Sequence, residues 1–267
     1  MVAYGGGVNS TALLVGMVER GAVPDAILFA DTGGEKPETY AYVASFSRWL
    51  HDHGFPSIVT VRNDGMYKTL ENNCLQTKTL PSIAFGHKTC SEKYKQRPQH
   101  KWVKAWKPAQ ECWAAGGRVI KLIGYGADEI HRAGIKHDDF YVCVYLLIEW
   151  GWGRDECIEA IERNGLTTPI KSACFYCPSS TKSEVVWLAN NHPDLMARAL
   201  EMERAALESG KLQSVLGLGR RFAWEKVIEQ DRRQMKMFPL PCAEEEGPSC
   251  LCLSPVESGR GIDSEDE

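Results

Sequence analysis

A glycine-rich turn, Gly5-Gly6-Gly7-Val8-Asn9-Ser10-Thr11, stands between a short apolar stretch, Val2-Ala3-Tyr4, and a helix-like run from Thr11 to Val18. Strand, glycine turn and helix together offer backbone N–H groups and the positive end of a helix dipole to a phosphate. The turn lacks the Gly-Lys-Ser/Thr ending of a Walker loop and the G-x-G-x-x-G spacing of the dinucleotide fingerprint. Three glycines alone also make an ordinary tight turn. A second apolar run, Ala26–Ala30, ends in Asp31-Thr32-Gly33-Gly34-Glu35-Lys36-Pro37-Glu38-Thr39. In a parallel sheet both runs end on one edge. Asp31 and Thr32 are then expected to face the glycine turn across the crevice where such sheets bind ligands.

Further chemistry lies in the cysteines and in one acidic turn. Cys174-Phe175-Tyr176-Cys177-Pro178 spaces two thiols to reach one ion or cluster, and the alternative is a buried or redox-active thiol pair. Ten cysteines without an export signal favour ligation over a disulfide framework. Cys90 begins a basic segment, and Cys242, Cys250 and Cys252 offer thiols near the C-terminus. Cys74, Cys112, Cys143 and Cys157 read as small buried hydrophobes. Spacing does not separate zinc from an iron–sulfur cluster. Gly124-Tyr125-Gly126-Ala127-Asp128-Glu129-Ile130-His131-Arg132 follows a strand-like run. There Asp128 and Glu129 suit Mg²⁺ or a ribose, and Arg132 suits a phosphate or sulfate. A solvated turn with an acidic cap is the alternative. The seven histidines show no metal-ligand spacing.

Taken together, these segments resemble the PP-loop superfamily, whose loop reads roughly SGGxDS. The closer resemblance is to its branch similar to phosphoadenosine phosphosulfate (PAPS) reductases, whose second signature reads roughly DTGxExPET. Gly5 stands where the superfamily has Ser, and Asn9 where it has Asp. Cys90-Ser91-Glu92-Lys93-Tyr94-Lys95-Gln96-Arg97-Pro98 looks like the family's C-x(4)-K-x-x-P element, and Gly124–Arg132 like its G-x-x-x-D-E-x-x-R element. The resemblance spans residues 4 to about 180. It implies a nucleotide site at Tyr4, Gly5, Gly6, Gly7, Asn9, Ser10, Thr11, Asp31, Thr32 and Gly33, with Lys93 and Lys95 favouring an anion. It implies catalysis by Asp128, Glu129 and Arg132, with Mg²⁺. It implies a [4Fe–4S] cluster on Cys90, Cys174 and Cys177, completed by Cys250 or Cys252, with zinc as the alternative.

Three functions follow from the resemblance. In one, ATP is cleaved at the α-phosphate to activate an acceptor for sulfur transfer, with a nucleic acid or nucleotide as acceptor and a separate protein as sulfur donor. In the second, the chain reduces a sulfonucleotide, although the family's E-C-G-L-H tail motif is absent. In the third, it is a nucleotide-binding module without turnover.

The elements that must position these residues are legible as alternating apolar runs and helical patterns, the form of a parallel sheet with crossover helices. Strands are expected at Val2–Tyr4, Ala26–Ala30, Ile58–Val61, Val119–Ile123 and Tyr141–Leu146. This gives a five-stranded parallel α/β sheet of the adenine-nucleotide-binding, Rossmann-like type. Helices are expected at Ser10–Arg20, Glu38–His53, Ser91–Trp106 with a kink at Pro98, Thr181–Asn190 and Pro193–Leu207. Glu71–Lys88 reads as a loop over the site, and Tyr145–Trp150 as packing beneath it. Residues 1–170 read as the nucleotide domain, 171–255 as a helical, cysteine-bearing region and 256–267 as an acidic disordered tail.

Net charge is −4, which excludes a wholly basic nucleic-acid binder, but residues 87–107 hold seven Lys/Arg against Glu92 alone. That stripe suits nucleic-acid contact, with Tyr94, Trp102 and Trp106 as stacking platforms. It equally suits a solvated face over packed tryptophans. Gly217-Leu218-Gly219-Arg220-Arg221 reads as a phosphate clamp or a linking turn. No apolar run approaches the ~20 residues of a membrane span, and the expected location is cytoplasmic.

Overall fold

Five short apolar runs pair into one parallel sheet in the computed structural model, which describes residues 1–133, 138–212 and 215–237 of the 267-residue chain. They are β1 (Val2–Tyr4), β2 (Ile27–Asp31), β3 (Ile58–Arg62), β4 (Val119–Ile123) and β5 (Tyr141–Val144). The strand order is β3-β2-β1-β4-β5, and every pairing is parallel. A strand covered on both faces needs apolar residues on both, so β2 is a continuous apolar run closed by Asp31 and is buried throughout. The fifth strand stops at Val144, two residues before the expected end, because Leu146 begins a one-turn helix, α7 (Leu146–Glu149).

The crossovers place helices on both faces. α1 (Val8–Glu19) is apolar nearly all round, and Ala12, Leu13, Leu14 and Val15 are fully buried. Burying each leucine stabilises the fold by roughly 1.5–3 kcal/mol. α1 packs with α2 (Pro37–Asp52) and α8 (Arg154–Arg163) on one face of the sheet. Gly16 of α1 admits the ring of Trp150, which a Cβ there would meet at 2.5 Å. The other face is covered by α5 (Arg97–Ala105) and α6 (Lys107–Ala114), through Val103, Ala109, Trp102, Trp106 and Trp113.

A second core, of helices and the turns between them, lies beside the sheet. It joins α3 (Leu70–Thr77), α9 (Lys182–Asn191), α10 (Pro193–Glu208) and α11 (Trp224–Met237). Leu70, Cys74, Leu80, Ala84 and Tyr94 share this core with Phe175, Tyr176 and Trp224. The helical layer therefore draws on residues 70–94 as well as on the C-terminal third.

The segment Glu71–Lys88, expected as a loop, is α3 followed by a 3₁₀ turn at Ser82–Phe85. Thr69 caps α3 by accepting from Asn72 N at 3.1 Å, and Lys78 ends it in the left-handed region at φ 50°. Only Leu70 and Cys74 are buried along α3, too few to give a readable period. The expected kink at Pro98 is absorbed differently. A one-turn helix, α4 (Thr89–Ser91), passes into a widened π turn over Glu92–Gln96, and α5 begins at Arg97 with Pro98 in its first turn. There the missing proline N–H costs nothing. The expected disordered tail 256–267 and Cys242, Cys250 and Cys252 lie outside the described residues. No helix among the described residues is long and apolar enough to cross a membrane.

Candidate functional site

The order of strands reverses between β1 and β4, so the loops leaving these two strands part and open a crevice at their C-terminal ends. The loop after β1 is the glycine turn. Gly6 adopts φ +74°, which turns the chain sharply from strand to helix. Gly7 is the N-cap of α1 and has no side chain to cap with, so the first-turn amides of the helix stay available to a ligand. Ser10 braces the turn: its Oγ accepts from Gly5 N at 3.1 Å and donates to Gly7 O at 3.0 Å.

The cleft that opens there measures about 1040 Å³. Tyr4, Gly5, Gly7, Asn9 and Ser10 line one wall, and Gly124, Tyr125, Glu129 and Arg132 line the wall that follows β4. Eight cationic side chains border it: Lys95, Arg97, Lys101, Lys104, Lys121, Arg132, Arg154 and Lys171. Three carboxylates, Glu92, Glu129 and Asp138, oppose them. The cleft is thus positive in a chain of net charge −4, and a low-dielectric crevice focuses such a field. Several cations are already engaged: Arg97 with Glu92 at 2.8 Å, Lys171 with Glu184 at 2.9 Å, and Arg132 with Glu129.

Asn9 bridges the two walls. Its Nδ2 donates to Glu129 Oε2 at 3.0 Å, while its Oδ1 is buried without a hydrogen-bond partner among the described residues. An orphaned amide oxygen beside a carboxylate is an oxygen donor set of the kind a hard cation takes, so these residues fit Mg²⁺. Further aromatics stand on the β4 side. The rings of Tyr125 and Tyr145 stack at 5.6 Å and 9°, and the Arg132 guanidinium lies 4.4 Å over Tyr125.

The far wall was not foreseen from the sequence. His100 Nδ1 and Tyr141 Oη are 2.8 Å apart. Burial, aided by the charge of Lys104, holds the His100 pKa below its ordinary value, so its imidazole is neutral at pH 7. Burial likewise lowers the pKa of Lys121, against the raising effect of Cys143 and Asp138. These residues come from α5, β4 and β5, and only the tertiary fold brings them together.

The expected nucleotide residues divide. Tyr4, Gly5, Gly7, Asn9, Ser10 and Lys95 line the cleft; Gly6, Thr11, Asp31, Thr32, Gly33 and Lys93 are not among its lining residues. Thr11 and Tyr4 join hydroxyls at 3.2 Å beneath the turn. Lys93 lies over the rings of Tyr67 and Tyr94 instead. Glu129 and Arg132 line the cleft and Asp128 does not.

Asp31 is a buried anchor. It accepts from Gly33 N at 2.7 Å, Tyr40 Oη at 2.7 Å and Arg62 Nε at 2.9 Å. Asp31→Ala is therefore expected to cost about 2–3 kcal/mol of stability in urea denaturation, discounted for the exposure of Arg62. Nucleotide affinity of the folded variant should stay close to that of the parent. A stable variant without nucleotide binding would instead make Asp31 a ligand contact.

The stacking platforms expected on the basic stripe are committed elsewhere. Tyr94 is fully buried in the helical core, and Trp102 and Trp106 pack against the sheet face that α5 and α6 cover, with rings 5.6 Å apart. Arg97, Lys101 and Lys104, at spacings of four and three, still share a cleft-facing side of α5. The Gly217–Arg221 segment is a linking turn held by Glu203, whose Oε2 accepts from Leu218 N at 2.6 Å.

The thiols lie behind the cleft. Cys174 and Cys177 close one turn through Cys177 N to Cys174 O at 2.9 Å. Thr32 Oγ1 stands 2.9 Å from Cys174 Sγ, and Phe175 N donates to Gly34 O at 2.7 Å, so the loop after β2 supports the CxxC. Burial, with the Glu35 charge second, pushes the Cys174 thiol up to about 12. Cys90 and Cys174 both pack against the helical core that contains Cys74. Among the described residues no group of three or more Cys, His, Asp or Glu side chains stands ready around one metal ion. Cys90, Cys174 and Cys177 are half-buried, and the cluster that the resemblance implies has no assembled site among the described residues.

Glue between the glycine turn and the thiols is supplied by Ser172 and Glu35. Ser172 Oγ donates to Gly5 O at 2.5 Å and to Glu35 Oε2 at 3.3 Å, and Lys95 Nζ reaches Glu35 Oε1 at 3.4 Å. Burial, the largest single influence, lowers the Lys95 pKa, but the charge and hydrogen bond of Glu35 together with Cys174 and Cys177 outweigh it and raise the pKa overall. Compared with known proteins, the chain matches no family model and no curated protein.

Proposed function

We propose that this chain binds an adenine nucleotide at Gly5–Ser10 and cleaves ATP at the α-phosphate to activate an acceptor for sulfur transfer. The observation that carries the reading is the coincidence, at the strand-order reversal, of a glycine turn, an uncapped helix N-terminus and a cluster of eight cations. The resemblance of the loop and of the D-T-G and D-E-x-x-R elements to PAPS reductase-like PP-loop proteins gives the adenine nucleotide and the sulfur chemistry.

Residue roles follow from position. The first-turn amides of α1 receive the phosphates, and Arg132 and Lys95 neutralise their charge. Mg²⁺ would be held by Glu129 and the orphaned Oδ1 of Asn9, and when bound it neutralises phosphate charge. An acceptor oxygen attacks the α-phosphorus, the bond to the β-phosphate oxygen breaks, and pyrophosphate leaves. The acceptor now carries AMP, which a sulfur nucleophile from a donor protein displaces. Arg97, Lys101 and Lys104 extend the positive wall beyond the space a nucleotide needs, which favours a nucleic-acid or other phosphate-bearing acceptor. Cys90, Cys174 and Cys177, to which the resemblance assigns a cluster, form no group of three around one metal position.

The test is product analysis with ATP, and with PAPS and its adenylyl analogue. Pyrophosphate and AMP from ATP, dependent on added acceptor, support the reading. Sulfite from a sulfonucleotide would make the chain a reductase. Binding without turnover of any of them would make it a non-catalytic nucleotide module.

A further inference from the structure

We infer that the acceptor entering this cleft is an unpaired nucleic-acid strand, whose phosphates follow α5 and one of whose bases stacks on Phe140. The inference rests on the reading of the cleft given above and narrows its acceptor from any phosphate-bearing molecule to a single strand.

Only part of the basic stripe at residues 87–107 faces the cleft. Lys95, Arg97, Lys101 and Lys104 line it, whereas Lys88, Lys93 and Lys107 do not. Arg97 to Lys104 extends along about 10 Å of helix. The cations therefore form a row, which suits a backbone of successive phosphates better than one compact anion. Lys104 ends the row, and Lys121 stands on the floor that faces it. Neither has an ion pair among the described residues, and each lies against a ring instead, Lys104 at 5.7 Å from the centre of Phe140 and Lys121 at 5.4 Å from that of Tyr141.

Phe140 lines the cleft where this row ends and is 40 % exposed. An exposed phenyl ring on a loop is ordinarily free to turn, but this one is anchored. Its N–H donates to Asp138 Oδ1 at 2.9 Å, and its carbonyl accepts from Trp113 Nε1 at 2.9 Å. The rings of His100 and Trp113 meet it edge-on at 5.4 and 5.3 Å. A fixed ring with an open part and a cation beside it is a stacking platform for a base, with Lys104 placed for the adjoining phosphate.

The platform also selects against paired bases. Lys121, Ile123, Tyr141 and Cys143 of β4 and β5 share the cleft floor, and α5 is tied to that floor by His100 and Tyr141. A base within a duplex is covered by its own stack and flanked by two backbones. It cannot come against a ring set between a helix and a sheet, whereas an unpaired base can.

The test is fluorescence anisotropy of the full chain, without ATP, on labelled RNA and DNA single strands of about 12 nucleotides and on the same sequences as duplexes. Phe140→Leu keeps an apolar body against Trp113 and removes the ring. Single strands are expected to bind at least about tenfold more tightly than duplexes, and Phe140→Leu to weaken them by about 5- to 100-fold, with Phe140→Trp retaining the affinity. Lys104→Ala should reduce the slope of log affinity against log salt by about 0.7. Lys107→Ala removes the same charge from an exposed position outside the cleft and should leave the slope unchanged. The RNA and DNA arms show which sugar the site takes. Duplexes bound as tightly as single strands, Phe140→Leu at parental affinity, or equal slopes for Lys104→Ala and Lys107→Ala would each overturn the inference. Should Phe140→Leu fail to fold by circular dichroism, the comparison of the two lysine variants decides. A parent that binds a non-hydrolysable ATP analogue but no strand refutes the strand and leaves the nucleotide reading standing; one that binds strands but no ATP analogue does the reverse.

Discussion

Replacing Gly124 by alanine should weaken ATP binding by ~10- to 100-fold while the sheet stays folded. Gly124 is the first residue beyond β4, where the chain passes under the start of α1. A Cβ at this position would stand 2.9 Å from both Cα and N of Ser10 and 3.0 Å from the carbonyl carbon of Asn9. These are backbone atoms, so no rotamer change relieves the contact. The first turn of α1 must move away from β4, and overpacking of this kind costs about 1–3 kcal/mol. That displacement falls on the amides offered to the phosphates and on the Asn9–Glu129 bridge across the cleft. Calorimetric titration with a non-hydrolysable ATP analogue measures the affinity, and circular dichroism measures the fold. A folded variant with unchanged affinity would take the start of α1 out of the binding site.

The second large effect is expected far from the cleft, at Glu203. Its side chain on α10 is fully buried, and its carboxylate accepts from Leu218 N at 2.6 Å, Trp224 N at 2.9 Å and Glu225 N at 3.1 Å. Trp224 and Glu225 are the first two residues of α11, so a carboxylate from one helix caps the positive end of the next. Gly217 lets the turn approach, since a Cβ there would meet Glu203 Oε2 at 2.4 Å. Glu203→Ala leaves three buried amides unpaired, at about 1–3 kcal/mol each and less than additively. The expected loss is roughly 3–5 kcal/mol in chemical denaturation. Glu203→Gln should fall between, because its amide N–H₂ faces backbone donors it cannot satisfy. A Glu203→Ala variant within about 1 kcal/mol of the parent would mean the turn holds itself by other means.

Much of the frame was legible in the sequence because its signals are local. The glycine turn, the apolar strands, Pro37 opening α2 and the reciprocal cap between Thr181 and Glu184 each depend on residues a few positions apart, and each stands as expected. Asp31 shows the limit. Its place at the C-terminal end of β2 was legible to within a residue, but its partner Arg62 lies at the end of β3, which no local pattern specifies. The cations Lys104, Lys121, Arg154 and Lys171 were likewise invisible as a group, since they meet only when α5, β4, α8 and the segment before the CxxC close on one crevice. α3 was missed because a helix with two buried positions has no period to read. The buried carboxylate of Glu203 had no signature at all, as its acceptors' partners lie 15 to 22 residues away in a turn.

The central position of β1 also bears on how the chain reaches this state. β1 meets β2 after a short crossover, but its other neighbour is β4, with Val2 registered against Leu122. Closing so long a loop is entropically costly before any contact repays it, which makes this seam a high-contact-order, slow-forming one. The crevice sits on that seam. During synthesis the glycine turn and α1 can therefore assemble with β2 and β3 while the opposite wall has not yet left the ribosome, and the binding site comes into being only when the two halves of the sheet zip together.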